Sequence, residues 1–354
     1  LTKTALILGT VGGEHILGAS SEEEALTPIN VKAKLQTTHG SENIAALIVN
    51  QAILFVQRGG RKIREFLYNW QSNDYVADDL TVFANHITES GIVDMAFQRT
   101  PDPTLWCVRD DGVLAVMTYE RKQDVFSWYR IVTSTADSDS DFESVDVIYG
   151  GAGKEDEVWV TVKRTLSSGV VRYVERFYQR AMPDDMDDMK YLDSFLTYDS
   201  TSATSTITGL DHLEGETVQV LADGEVFDDA TVSGNQITLK KATVVTTAST
   251  VQVGLGYTST LKPMKLNIAD LGLATTKKIS RAIINLYNTI GGEMGTTMSN
   301  VKDIPTGTDA LFAGEKELSM PGGYSRAGDI IVRQTQPLPM TVLSLTLGIG
   351  ASAD

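Results

Sequence analysis

The chain is poor in the groups on which most catalytic and metal chemistry rests. It has one cysteine, Cys107, and four histidines, His15, His39, His86 and His212. A single cysteine excludes an intrachain disulfide and a cysteine-rich zinc site. Cys107 lies between Trp106 and Val108 in a strand-like run, the setting of a buried structural thiol rather than a nucleophile. The histidines are scattered, with no H-x-x-x-H pair, and are read as turn or surface residues. No apolar run reaches the ~18 residues of a membrane-spanning helix, and no G-x-S-x-G nucleophile elbow is present. Cations are also scarce: 30 Lys and Arg stand against 46 Asp and Glu, a net charge of −16. Tight nucleic-acid binding rests on cation–phosphate contacts, so this balance argues against it. An acidic wall around DNA that lets the polymer slide remains compatible with it, as does plain acidic solubility.

What the chain does have is a repeat. LWCVRDDGVLAVMTYE, residues 105–120, alternates apolar and polar positions around Asp110-Asp111-Gly112, a strong hairpin signal. Similar hairpins occur at LFVQRGGRKIREF (54–66) and VWVTVKRTLSSGVVRYVERF (158–177), with a weaker copy at ILGTVGGEHILGA (7–19). The anchoring aromatics Phe55, Trp106 and Trp159 are 51 and 53 residues apart. Repeats of ~40–50 residues containing a few strands each are the signature of propeller blades. Gly60, Gly112 and Gly169 take the hairpin turns, and these six residues form the expected structural set of the blades. The other strand aromatics, Trp70, Trp128, Tyr119, Tyr129 and Tyr173, are expected in the core between blades; a stacking platform is the minority reading.

The length of 354 residues suggests two or three domains. We expect an all-β chain, with propeller-like blades over 1–182 and a linker over 183–205. A small β-barrel over 206–259 and a β-rich platform segment over 260–354 follow. The chain opens at Leu1 inside what reads as a repeat, so a fragment or processed product is expected. Ile279, Ala282, Ile283, Leu286, Tyr287 and Ile290 match helical spacing, although the same stretch also tolerates a strand.

Three motifs tempt and fail. Asp137, Asp139 and Asp141 imitate a calcium loop, but Phe142 and Ile148 stand where Gly and Glu are needed. The run Gly150–Lys154 hints at a phosphate loop, but Ile148 and Glu155 break the Walker pattern twice. Asp184, Asp185, Asp187 and Asp188 suggest a glycosidase pair, but a charged linker accounts for them as well. We expect no catalytic residue, no metal site and no cofactor.

FVQRGGRKIREFLYN, DLTVFANHI, TLWCVRDDGVLAVMTYERKQDVFSWYRI, DEVWVTVKR and RYVERF together resemble the tail nozzle proteins of short-tailed bacteriophages, also called tail tubular protein B. ITGLDHLEGETVQVLADGEV resembles a small domain common in phage tail proteins, sometimes labelled by its likeness to part of ubiquitin-activating enzymes; no ubiquitin chemistry is carried over. TDALFAGEKELSMPGGY and IIVRQTQPLPMTVLSL resemble the nozzle family's ending, so the likeness runs from about Gly9 to Leu347. It also favours a strand over 278–290. The resemblance implies a homohexameric tube below the portal and adaptor rings, assembled in the bacterial cytoplasm and carried in the virion tail. DNA would pass through it without tight binding. The candidate lumen-facing acidic residues are Asp137, Asp139, Asp141, Glu143, Asp184, Asp185, Asp187 and Asp188. Two other functions are weighed against this one: a tail module binding host-surface glycans, and a hydrolase of envelope polymer.

Overall fold

The computed structural model describes residues 6–19, 25–133, 141–179, 185–187, 189–265, 276–308, 310–320, 322–326 and 328–352. The chain is all-β, with two single-turn 3-10 segments and no α-helix among the described residues. It forms two compact units, Leu1–Thr165 with Val170–Arg180, and Leu166–Gly169 with Ala181–Asp354.

The first unit is a series of four antiparallel sheets. Sheet I holds β1 (Leu6–Thr10), β2 (Gly13–Gly18) and β3 (Lys32–Thr37). Sheet II holds β4 (Leu47–Val49), β5 (Ala52–Val56), β6 (Ile63–Asn69) and β7 (Asp74–Asp79). Sheet III holds β8 (Ile92–Gln98), β9 (Thr104–Arg109), β10 (Leu114–Glu120) and β11 (Val125–Ile131). Sheet IV holds β12 (Asp141–Ile148), β13 (Glu157–Leu166) and β14 (Gly169–Arg176). Each strand pairs with its neighbour in sequence, the meander of a propeller-like blade.

Alternation decides what lies between the sheets, because successive side chains point to opposite faces. Phe55, Phe66 and Ala77 of sheet II pack with Ile7 and Ile16 of sheet I. Leu54, Val56 and Ile63 face the other way and join Leu105, Cys107, Ala115 and Met117 of sheet III. Trp106, Val108, Leu114 and Val116 then join Phe142, Val158, Val160 and Val162 of sheet IV. Each fully buried aliphatic or aromatic side chain contributes about 1.5–3 kcal/mol.

The repeat therefore holds in strand order but slips in one place. Phe55, Trp106 and Trp159 all lie on the second strand of their sheets, two of four strands and one of three. Phe55 faces the preceding sheet, whereas Trp106 faces the following one. Leu54 or Val56 is the counterpart of Trp106 by face, since a one-residue shift turns every side chain over.

The second unit departs from the expected barrel. Asp193–Thr204, Ala248–Leu255, Thr217–Ala222 and Glu225–Val226 form one sheet in that order, with Ala230–Thr231 also pairing Thr217–Ala222. The long strand Asp193–Thr204 occupies most of the stretch read as a linker. Among the described residues, Thr206–Thr208 pairs only Gln236–Thr238, and Lys240–Lys241 only Val244–Val245. Strands of two or three residues cannot supply the continuous, tilted ladder that closes a barrel, and none closes among the described residues. Leu210, Leu213, Val218, Val220, Val251 and Val253 nevertheless form a common core.

The stretch with the ambiguous period is a strand, Thr276–Thr289, between Phe312–Ser319 and Thr341–Ser352. Its register shifts against Thr341–Ser352 between Ile279 and Arg281, and against Phe312–Ser319 between Leu286 and Thr289. A bulge inserts one residue and reverses the alternation. Buried Ile279, Ala282, Leu286 and Ile290 thereby acquire helix-like spacing on a strand.

Candidate functional site

The turns between second and third strands hold the first unit together. Gly60 and Gly112 have φ of +75° and +73°, a region that favours glycine. The Ile92 amide donates to the Gly60 carbonyl at 2.8 Å, and the Phe142 amide to the Gly112 carbonyl at 2.9 Å. Each turn thus bonds the first strand of the next sheet. Sheet I repeats the device, since the Ser41 amide donates to the Thr10 carbonyl at 2.8 Å. Arg58 and Asp110 amides return the bond to Gly40 and Gly91, at 2.9 and 3.0 Å. Gly169, with φ of +119°, opens β14, and nothing lies within 4 Å of where its Cβ would stand.

Buried ionic groups lie beside these clasps. Glu65 on β6 accepts the Tyr119 hydroxyl from β10 and pairs with Arg121 at 3.0 Å. Burial, then the Glu65 carboxylate, pushes the Tyr119 phenol well up. It stays neutral and bonds sheet II to sheet III. Buried Arg109 donates to Asp111, to the Ile87 carbonyl at 2.6 Å and to Ser90 Oγ at 2.7 Å. Burial raises the Asp111 carboxyl, but hydrogen bonds from Arg109 and Ser90 outweigh it and leave it below the ordinary value. Arg164 makes a two-pronged bond to Glu175, at 2.7 and 2.6 Å. Burial also pushes the Cys107 thiol strongly up, with Asp94 adding to it, so the group is protonated and inert.

The candidate acidic residues are not one cluster. Asp137, Asp139, Asp184 and Asp188 lie outside the described residues. Asp141 and Glu143 sit on β12. Asp141 pairs with Lys163 at 2.9 Å, and Glu143 with Arg172 at 2.8 Å. The Arg172 bonds hold the Glu143 carboxyl below the ordinary value. Asp185 and Asp187 are exposed in the second unit. The Gly150–Lys154 run is the turn between β12 and β13, with no helix N-terminus to hold a phosphate. Among the described residues no three His, Cys, Asp or Glu side chains are placed to hold a metal.

The expected structural set divides by burial. Phe55 and Trp106 are buried, and Trp106 Nε1 donates to Gln98 at 3.2 Å. Trp159 is half-buried, bonds Glu157 at 3.1 Å and carries the Arg176 guanidinium 5.8 Å from its ring centroid. Trp70, expected in the core, is instead 85% exposed at the β6–β7 turn. Its position was legible from its neighbours: Asn69, Ser72 and Asn73 are of types that favour turns.

No protein-family model matches the chain, and no curated protein matches it. Among solved structures, a luciferin-regenerating enzyme is similar at a TM-score of 0.26 and 17% identity, over 49% of this chain and 62% of that one. A glycoside hydrolase is similar at 0.22 and 9% identity, over 97% and 96%. The chain thus spans less than two thirds of the luciferin-regenerating enzyme's length. Likenesses at these scores carry no argument about function.

Proposed function

We propose that the chain is a structural subunit of a short-tailed bacteriophage tail nozzle, one of several copies, six by the resemblance, around a channel for genome exit. The observation that carries this reading is the sequence resemblance together with what its stretches form. FVQRGGRKIREFLYN supplies β5 and β6, and TLWCVRDDGVLAVMTYERKQDVFSWYRI supplies β9, β10 and β11. These are packed, mutually clasped strands. Backbone bonds between successive sheets suit a wall that must hold its shape under load. The net charge of −16 suits a surface past which DNA moves without sticking. The role is mechanical and electrostatic, not enzymatic. Its partners are further copies of the chain, an adaptor ring and other tail proteins, and its place is the virion tail after assembly in the host cytoplasm. Electron microscopy of the purified protein, alone and mixed with the other tail components, tests this. Rings or ring-on-adaptor complexes support it. Particles that stay single in every mixture refute it.

A further inference from the structure

Four rings climb from the core of the first unit to its surface. Phe66 is 2% exposed and Trp70 is 85% exposed. Phe66, Tyr68 and Trp70 share one face of β6 and its continuation, two residues apart. Tyr75 on β7 stacks on Phe66 at 5.0 Å and 14°. Tyr68 stands edge-on to Tyr75 at 5.2 Å and edge-on to Trp70 at 4.8 Å and 86°. Each ring is fixed by the one below it. The Tyr68 hydroxyl donates to Asn73 Oδ1. Asn69 Oδ1 accepts the Gln71 and Ser72 amides at 2.9 and 3.4 Å, which sets the turn that carries the indole.

We propose that Trp70 is the platform of a saccharide-binding site for neutral hexopyranose chains. An indole face carries negative π density and takes the slightly positive axial C–H groups of a pyranose ring. An aromatic held in advance loses little rotational freedom on binding. The exposed carboxamides of Gln71 and Asn73 flank it in sequence, with Nδ2 of Asn73 and the Gln71 side chain making no hydrogen bond among the described residues. They supply donors and acceptors for sugar hydroxyls. The turn Asn69–Tyr75 has no Lys or Arg and does have exposed Asp74, which disfavours anionic glycans. Residues 68–75 contain no aliphatic side chain, so the indole lacks the apolar surround of a protein-binding hot spot. The site stands whether or not the chain forms a nozzle.

The test uses the intact protein with cellohexaose, maltohexaose and chitohexaose, and with hyaluronan hexasaccharide as the anionic probe. Binding is read by saturation-transfer NMR and by titration of indole fluorescence. At least one neutral hexasaccharide binds saturably, with a dissociation constant of about 0.1–5 mM. Trp70→Ala weakens it at least ~10-fold, and Trp70→Tyr stays within ~3-fold of the parent. Phe83→Ala, which removes another exposed ring at 91%, leaves binding unchanged. Gln71→Ala weakens binding without touching a ring, so the outcome stands even where a Trp70 variant misfolds. The proposal is overturned by no saturable binding to the three neutral probes, by stronger binding of hyaluronan, or by equal affinity in a folded Trp70→Ala protein. It is also overturned if Trp70→Ala abolishes association with a protein partner while no sugar binds, which makes the indole a protein contact.

Discussion

A Cβ on Gly112 would stand 2.4 Å from the Cβ of Asp141. The hairpin turn of sheet III is pressed against the first residue of sheet IV, and the Phe142 amide closes the contact on the Gly112 carbonyl. Asp110-Asp111-Gly112 is thus a junction between sheets as well as a turn. Gly112→Ala meets two penalties, a positive φ and this overlap with a neighbouring strand. Gly169→Ala meets only the first, because nothing lies within 4 Å of its Cβ position. We expect Gly169→Ala to cost about 1 kcal/mol and Gly112→Ala about 2–4 kcal/mol. Urea unfolding of both variants checks the order, and equal losses would contradict it.

Tyr119 and Glu65 give a second test between sheets. Tyr119→Phe removes one buried hydrogen bond but leaves Glu65 with Arg121, for a loss of about 1–2 kcal/mol. Glu65→Ala costs more, because the Tyr119 hydroxyl is left buried without its acceptor. Thermal melts of the two variants should show that order.

Acid should loosen the Asp111 junction. Its folded pKa lies below the unfolded value, so its contribution is fully present above the ordinary carboxylate range and is lost as pH falls through the folded value. The melting-temperature gap between the parent and Asp111→Asn should stay constant from about pH 6 to 8 and shrink below about pH 4. A gap that widens in acid would refute the assignment.

Cys107 should resist thiol reagents in the folded protein and react promptly in denaturant. It is fully buried, and burial keeps it protonated. Labelling followed by mass spectrometry decides this, and fast native labelling would contradict it.

The strand plan was legible because turn residues mark it. Asn50, Gly60, Asn73, Gly112 and Asp124 all have positive φ, and each lies in a turn between two strands. The face of each strand was less legible. Phe55 and Trp106 look equivalent in sequence, yet one residue of offset sends them to opposite sides of their sheets. The strand Thr276–Thr289 hid its period behind bulges, which depend on its partners rather than on its own residues. Asp193–Thr204 resembled a linker because eight of its twelve residues are Ser, Thr or Asp, with Thr197, Asp199 and Thr201 facing solvent in alternation. The candidate acidic set was a count of charges. Nothing in the residue pattern signals that Asp141 finds Lys163 on the adjacent strand or that Glu143 finds Arg172 two strands away. Trp70 is an aromatic whose exposure is set by the turn it occupies, not by its residue type.

The central claim is that copies of this chain build a wall around a channel. Native mass spectrometry of the purified protein across a concentration series, with and without the other tail components, tests it most directly. The account predicts a discrete closed oligomer, six copies by the resemblance, formed alone or on the adaptor. A strict monomer at every concentration, with no affinity for any tail component, would contradict it.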